Sequence, residues 1–562
     1  ARGSPRRPGV RLAMRPWLGA LLAAAGLGLG LAAAEDGAEG TCPAGGDCAA
    51  AAAAAPQAGD SRYYWPRARG PLQRGNSPHK FGSWPCNLSA ALAWSWEPPE
   101  GRYANTFVAL PIFDDELNIY LAVENAVRKF SPDGHIIWTW HVPGFVGVGR
   151  AIRKSPSLTQ GVCVTSLTDG TVFALRMDTG ELVWDVKVTD KGIGPDIGFI
   201  VASDGVVIGD ADIPDPPSRV NNRVFALNAS DGSRLWEFKP SVGVWNFLPY
   251  FVGDGTVVFQ DWDAGVYCLR LADGELLWAN GGTGGSTWTD GGAALGSNGV
   301  FYAVGSAGSQ FQSWMGKPGS LKAYSLSGGE LLWERALEQA PYTYPAVGTL
   351  RPGAGLSVVT GFGSLAFVPL KAQLFLGVLL GAVLGQFLGM AWACYSRLCA
   401  RQRRRGGLLR CVRLVFKGAF AGAALAPCLI LPFLKGRYPL SVQAFDADTG
   451  EPQWRYDLPP WNWYCAAGDE EGMLTRLQHS RIPFCLPLAQ SYPTLDAQGI
   501  YYFGHMDGRL YAIQDQDGDG HINKETEVCS FDTGTGFSSG GPSIVPGMLA
   551  VSTCDRLFVF KE

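Results

Sequence analysis

Residues 171–188 read TVFALRMDTGELVWDVKV. An alternating apolar run, an Asp/Gly turn and a second alternating run carrying a tryptophan make a β-hairpin unit. The unit returns as RVFALNASDGSRLWEFKP (223–240), GVYCLRLADGELLWANGG (265–282), SLKAYSLSGGELLWERAL (320–337) and LSVQAFDADTGEPQWRYDL (440–458). A degenerate copy precedes it, NAVRKFSPDGHIIWTWHV (125–142). A late copy follows, GRLYAIQDQDGDGHINKETEVCSFDTG (508–534), with Cys529 in the tryptophan position. Trp138, Trp184, Trp236, Trp278 and Trp333 stand 42–55 residues apart, whereas Trp454 follows only after 121; setting aside residues 368–437 restores the period. Four-stranded repeats of about 40–50 residues are propeller blades.

An upstream strand opens each repeat. A proline marks it at Pro111, Pro156, Pro195, Pro249, Pro345, Pro493 and Pro542, and Asp290 stands at the remaining position. Eight innermost strands predict eight blades. After Pro542 the chain supplies only three strands, and ALAWSWEPP around Trp94 and Trp96 is a spare outer strand. The two ends therefore complete one blade together, which leaves no open sheet edge. The x-L-Y/F-A-L-D-x-x-T-G-E-x-x-W unit resembles the repeat of pyrroloquinoline-quinone (PQQ) dehydrogenases and their non-enzymatic relatives, among them bacterial outer-membrane assembly propellers and luminal domains of unfolded-protein sensors. The likeness covers roughly residues 90–562 apart from the interruption. It implies an all-β, eight-bladed propeller with outer tryptophans docked between blades, and it transfers no reaction.

The interruption reads as membrane-spanning. From Ala372 to Ser396 there is no charge, and 25 residues of helix reach about 37 Å against a bilayer core of about 30 Å. Leu414–Leu434 is a second, weaker span, interrupted by Lys417, Pro427 and Pro432. Arg397 to Lys417 holds seven Arg, one Lys and no acid, so this loop is expected in the cytosol. Gly377, Gly381, Gly385 and Gly389 recur every four residues, with Gly418, Gly422 and Ala426 opposite, which predicts a tight helical hairpin. Near the other end, Met14-Arg15-Pro16, an apolar run Trp17–Ala34 and the small residues Ala32–Ala34 read as a signal peptide, or alternatively an uncleaved anchor. The expected organisation is 1–34 upstream extension and signal peptide, 35–85 Ala/Gly-rich linker, 86–367 propeller blades, 368–437 transmembrane hairpin, and 438–562 the last blades. The propeller is then luminal or extracellular, in a secretory-pathway or cell-surface membrane.

In a blade a-b-c-d, the b–c turns and d–a connections share one face. The hairpin is a b–c insertion of the sixth blade, and 457–490 is a d–a insertion from the sixth to the seventh. Both belong on the membrane side, where Trp461, Trp463 and Tyr464 suit either the interfacial zone or a cap over the channel. On the opposite face, DQDGDGHINKE lies in the c–d turn of the seventh blade. Asp515, Asp517 and Asp519 alternate, Gly520 turns the chain and His521 offers a carbonyl, as in the first half of a calcium loop. Position twelve is Thr526, so Glu525 or Glu527 would have to serve; the other reading is an ordinary acidic turn.

Thirteen cysteines are present. Cys394, Cys399, Cys411 and Cys428 belong to the hairpin region. Cys42–Cys48, Cys465–Cys485 and Cys529–Cys554 are the expected disulfides, and Asn87-Leu88-Ser89 and Asn228-Ala229-Ser230 are glycosylation triplets. No catalytic constellation is found. The vicinal Cys-Cys pair that covers the quinone in the dehydrogenases is missing, as is CxxCH. Asp210, Asp212 and Asp215, and Asp261 with Asp263, read as polar turns. The formal charge of −4, with 17% charged residues, excludes nucleic acid as a partner and disorder throughout. Without the eight loop cations the remainder carries about −12, which favours a cationic partner. A non-catalytic, membrane-anchored binding or scaffold module with a structural Ca2+ is the leading expectation. A PQQ-dependent membrane oxidoreductase is the alternative, and a stress sensor is weaker because the cytosolic loop has no room for an effector.

Overall fold

A computed structural model describes residues 62–82, 84, 86–107, 109–191, 199–212, 221–282, 287–289, 292–308, 318–363, 377–392, 413, 415–423, 425, 437–463, 465–483, 485 and 490–562. Eight antiparallel sheets follow one another along the chain. Blades 1 to 4 take strands from 112–141, 157–187, 201–238 and 250–280, and blades 5 to 7 from 287–337, 346–457 and 494–532. In blade 5 two short pieces, Thr287–Trp288 and Ala293–Leu295, share the partner Val300–Ala307. Blade 8 joins Ser543–Val545, Met548–Ser552 and Leu557–Lys561 to Leu92–Trp96, with Trp94 opposite Val559. The N-terminal strand thus closes the ring, as expected.

The repeat signature is the lock between blades. Trp138, Trp184, Trp236, Trp278 and Trp333 donate Nε1–H to Met177, Ala229, Leu271, Leu326 and Ala447, each a carbonyl of the next blade, and Trp94 does the same to Pro132. The turn glycine of the next blade lies flat on each ring. A Cβ at Gly180 would stand 2.6 Å from Trp138, and its φ of +74° suits glycine. Two locks differ. Trp454 is buried with Nε1 unpartnered, because the calcium-like insertion replaces the turn that would accept from it; Ile522 packs there instead. Cys529, opposite Ala512 as Trp184 is opposite Ala174, is bonded to Cys86.

The disulfides correct the sequence expectation. Cys86–Cys529 and Cys485–Cys554 form, with Cα–Cα of 6.3 and 5.9 Å, while Cys465 is a buried free thiol. Proximity along the chain favoured Cys465–Cys485 and Cys529–Cys554. Ring closure instead carries Cys86 to the blade 7 edge, and the 457–490 insertion lays Cys485 against the b–c turn of blade 8. Cys42, Cys48 and the hairpin cysteines lie outside the described residues, as do residues 1–34, Tyr464 and the Arg-rich loop 397–412.

The b–c insertion of blade 6 leaves between Leu356–Gly363 and Leu440–Asp446, as expected. Helix 377–392 is buried only at Gly377, Gly381, Gly385 and Gly389. Gly385 meets Gly418, and Gly381 meets Gly422, backbone to backbone across an antiparallel pair with 415–423. No helix among the described residues is long and apolar enough to cross a membrane. The 16 residues of 377–392 rise about 24 Å, and the rest of the uncharged stretch lies outside the described residues.

Candidate functional site

Residues 62–82, assigned to the linker by composition, fill the propeller axis. Trp65 exchanges backbone hydrogen bonds with Phe113 of blade 1, at 3.2 and 2.9 Å, and Leu158 N–H of blade 2 donates to Pro66 O at 2.7 Å. Ala68 packs in one cluster with Val201 of blade 3. Gln73 is a two-way clamp on blade 4: Nε2 donates to Pro249 O at 2.7 Å and Oε1 accepts from Phe251 N–H at 2.8 Å. Leu295, Val347 and Leu495 donate to Gln73, Arg74 and Gly75, and Ser77 Oγ donates to Ile544 O at 2.8 Å. Seven of the eight innermost strands are therefore hydrogen-bonded to one segment, and the strand of blade 3 shares an apolar cluster with it.

At the centre stands Arg69, 2% exposed. Its guanidinium donates to Pro493 O at 2.7 Å and to Pro345 O, so prolines that open innermost strands supply the acceptors. Tyr250, Tyr344, Tyr492 and Tyr501 surround it, with the guanidinium 5.7 Å over the Tyr344 ring. Burial pushes Arg69 below its ordinary pKa. The charge is held by carbonyl dipoles and aromatic faces rather than by a carboxylate. Tyr344 and Tyr492 meet edge to face at 4.4 Å beside it. Nothing in the repeats announces this plug. The shift at Arg62 from Ala/Gly to RYYWPRARGPLQ was the available signal.

Among the expected ligands, carboxylate oxygens of Asp515, Asp517 and Glu527 lie within 4.8 Å of one another. Asp519, His521 and Glu525 stay outside this group. Asp515 accepts from Gly518 and Gly520 N–H at 2.8 and 3.3 Å; Glu527 accepts from Gln516 and Asn523 N–H at 2.6 and 2.8 Å. Asp515 and Glu527 are buried and form no ion pair among the described residues. Three hard oxygen donors held by a backbone cradle fit Ca2+.

Asp210 and Asp261 are tied into the blades by structural partners. Asp210 takes Lys154 at 2.6 Å and Asn221 at 2.5 Å. Asp261 accepts from Tyr267 OH at 2.8 Å and Gly265 N–H at 2.8 Å, and burial pushes it up to about 6. Asp215 lies outside the described residues. Asn87 caps helix Leu88–Ala91 and Asn228 holds Ser230, both through Oδ1. Trp461 packs with Tyr438, Ala466 and Met506, whereas Trp463 is 38% exposed and donates to Glu470.

A family described as outer membrane protein assembly factor BamB matches residues 123–281, from the second strand of blade 1 to the end of blade 4. With seven four-stranded sheets, one of five strands and the Trp/Gly locks, this decides the repeat over the matched blades. The chain is an eight-bladed propeller that carries the PQQ-type repeat of that family over residues 123–281. A dehydrogenase of Paracoccus denitrificans, XoxF, is 30% identical over 135 residues, 22% of this chain and 22% of the relative, so the match spans about a fifth of that relative's length. The quinohemoprotein alcohol dehydrogenase of Comamonas testosteroni superimposes with a TM-score of 0.50 at 13% identity, over 90% of this chain and 81% of the other. BamB of Moraxella catarrhalis gives 0.46 at 14%, over 84% and 97%. The quinohemoprotein superposition concerns the fold alone.

Proposed function

We propose that this propeller is a non-catalytic binding or scaffold module, tethered to a membrane by its helical hairpin and stiffened by a calcium loop. The filled axis carries the reading. A planar quinone needs an open slot, and residues 62–82 bond to the innermost strands around the axis, with Arg69 buried among four tyrosines. The PQQ-dependent oxidoreductase remains the alternative, supported by the repeat and by the names of the relatives. Neither the axis nor the sequence, which lacks adjacent cysteines, fits the cofactor.

The hairpin supports the tether. Its helices bury glycine and present Phe387, Leu388 and Phe420 outward at 61, 71 and 79% exposure, the inverse of a helix built for water. Lipid would cover that surface. Two disulfides crossing the propeller suit an oxidising compartment, with the Arg-rich loop in the cytosol. Membrane lipid is then one partner, and a protein or small molecule on the propeller the other.

Replacing residues 368–437 by a short Gly/Ser turn tests the tether. The strands it would join are already paired at Gly363 and Leu440. The full chain is expected in the membrane pellet after alkaline carbonate, and the variant in the supernatant with its melting temperature kept within about 3 °C. Release of the full chain by carbonate would remove the anchor from the account.

A further inference from the structure

Several buried polar atoms without partners lie where blades 1 and 2 meet the 457–490 insertion. Asn105 is 1% exposed with neither amide atom partnered. Thr106 is 3% exposed, and its Oγ1 is unpartnered. Arg481, 6% exposed, donates Nε to Ala104 O at 3.1 Å and stands 3.3 Å from Glu124 Oε2, while its NH1 has no partner. Arg476, fully buried at the end of helix Asp469–Gln478, spends NH1 on Asp469 at 2.6 Å and leaves Nε and NH2 unfilled.

These groups are neighbours. Asn105 lies between Ala104, which accepts from Arg481, and Thr106, whose N–H donates to Glu124 at 3.3 Å. Arg481 N–H donates to Arg476 O at 2.8 Å. The Arg481 guanidinium rests 4.2 Å over Phe145, and Arg476 is 5.4 Å over Tyr103. Arg153 adds a third guanidinium that feels Glu124 and forms no ion pair among the described residues. Three guanidiniums therefore face two buried carboxylates, Glu124 and Asp469, with Glu100 on the exposed rim. Burial pushes Glu124 up and Arg153 and Arg481 down. With Glu100 counted the formal charges balance, but buried N–H donors left without acceptors are costly unless oxygen ligands complete them.

We propose that Asn105, Thr106, Arg481 and Arg476 form a binding site for a small oxyanion, a carboxylate- or phosphate-bearing solute, on this face of the propeller. Guanidinium and amide N–H groups match oxyanion oxygens in geometry and charge. The site is off the axis and separate from the calcium-like loop.

The full-length protein in detergent is titrated with sodium phosphate and, separately, sodium acetate, at ionic strength held constant with sodium chloride. Tryptophan fluorescence and thermal unfolding are recorded. A saturable response to either anion is expected, with affinity reduced about tenfold in Arg481→Gln. Should Arg481→Gln fail to fold, Thr106→Val keeps the shape, removes one hydroxyl, and is expected to weaken binding about threefold. A response to phosphate alone would assign a phosphate-bearing solute, and to acetate alone a carboxylate. No saturable response beyond chloride, or one unchanged in both variants, would overturn the site and leave it to ordered water.

Discussion

Replacing Arg69 by alanine is expected to destabilise the propeller by about 3 kcal/mol. The substitution leaves a cavity at the point where the ring converges and strips the acceptors Pro345 O and Pro493 O of their donor. Relief of the desolvated charge offsets part of this loss. Arg69→Met, which keeps most of the volume and loses the charge, is therefore expected to cost about half as much. Denaturant unfolding of the three proteins reads the order. A loss below about 0.5 kcal/mol for Arg69→Ala would mean that the segment 62–82 is a loose occupant of the channel rather than its keystone.

The second large effect belongs to Cys86–Cys529. The bond spans 443 residues and fastens the closing strand Leu92–Trp96 to blade 7 at the one blade edge that lacks a tryptophan. In the chain-entropy picture a loop this long is worth roughly 6 kcal/mol. Calorimetry of Cys86→Ser/Cys529→Ser is expected to show a lower, broader transition, because blade 8 can then open without the rest. The shorter closure at Cys485–Cys554, over 69 residues, is expected to matter less. Equal effects from the two pairs would show that local packing, not ring closure, sets their worth.

The legible parts of the sequence were those that repeat. Each Trp/Gly unit repeats the same instruction, so degenerate copies such as 125–142 and the Cys529 copy could still be placed, and eight blades followed. The glycine stripe at 377, 381, 385 and 389 read correctly for a similar reason: four residues in register specify one buried face. Single, non-repeating contacts were opaque. Arg69 meets prolines 276 and 424 residues away, which no local pattern encodes. The cysteine pairing failed because the ring brings Cys86 and Cys554 to partners that neighbours along the chain cannot reveal. In the carboxylate loop the alternation at Asp515 and Asp517 was informative, whereas the choice of Glu527 over Glu525 depended on how the turn folds back to its following strand.

The proposed function requires a channel filled by the chain itself and a propeller without quinone chemistry. Titrating the detergent-purified full chain with Ca2+, then with PQQ in the presence of Ca2+, tests it directly by thermal shift, quinone absorbance and dye-linked alcohol oxidation. Calcium is expected to raise the melting temperature saturably, with the shift diminished in Asp517→Asn, and PQQ to produce neither binding nor turnover. Saturable quinone binding with turnover would contradict the account and place this propeller among the oxidoreductases.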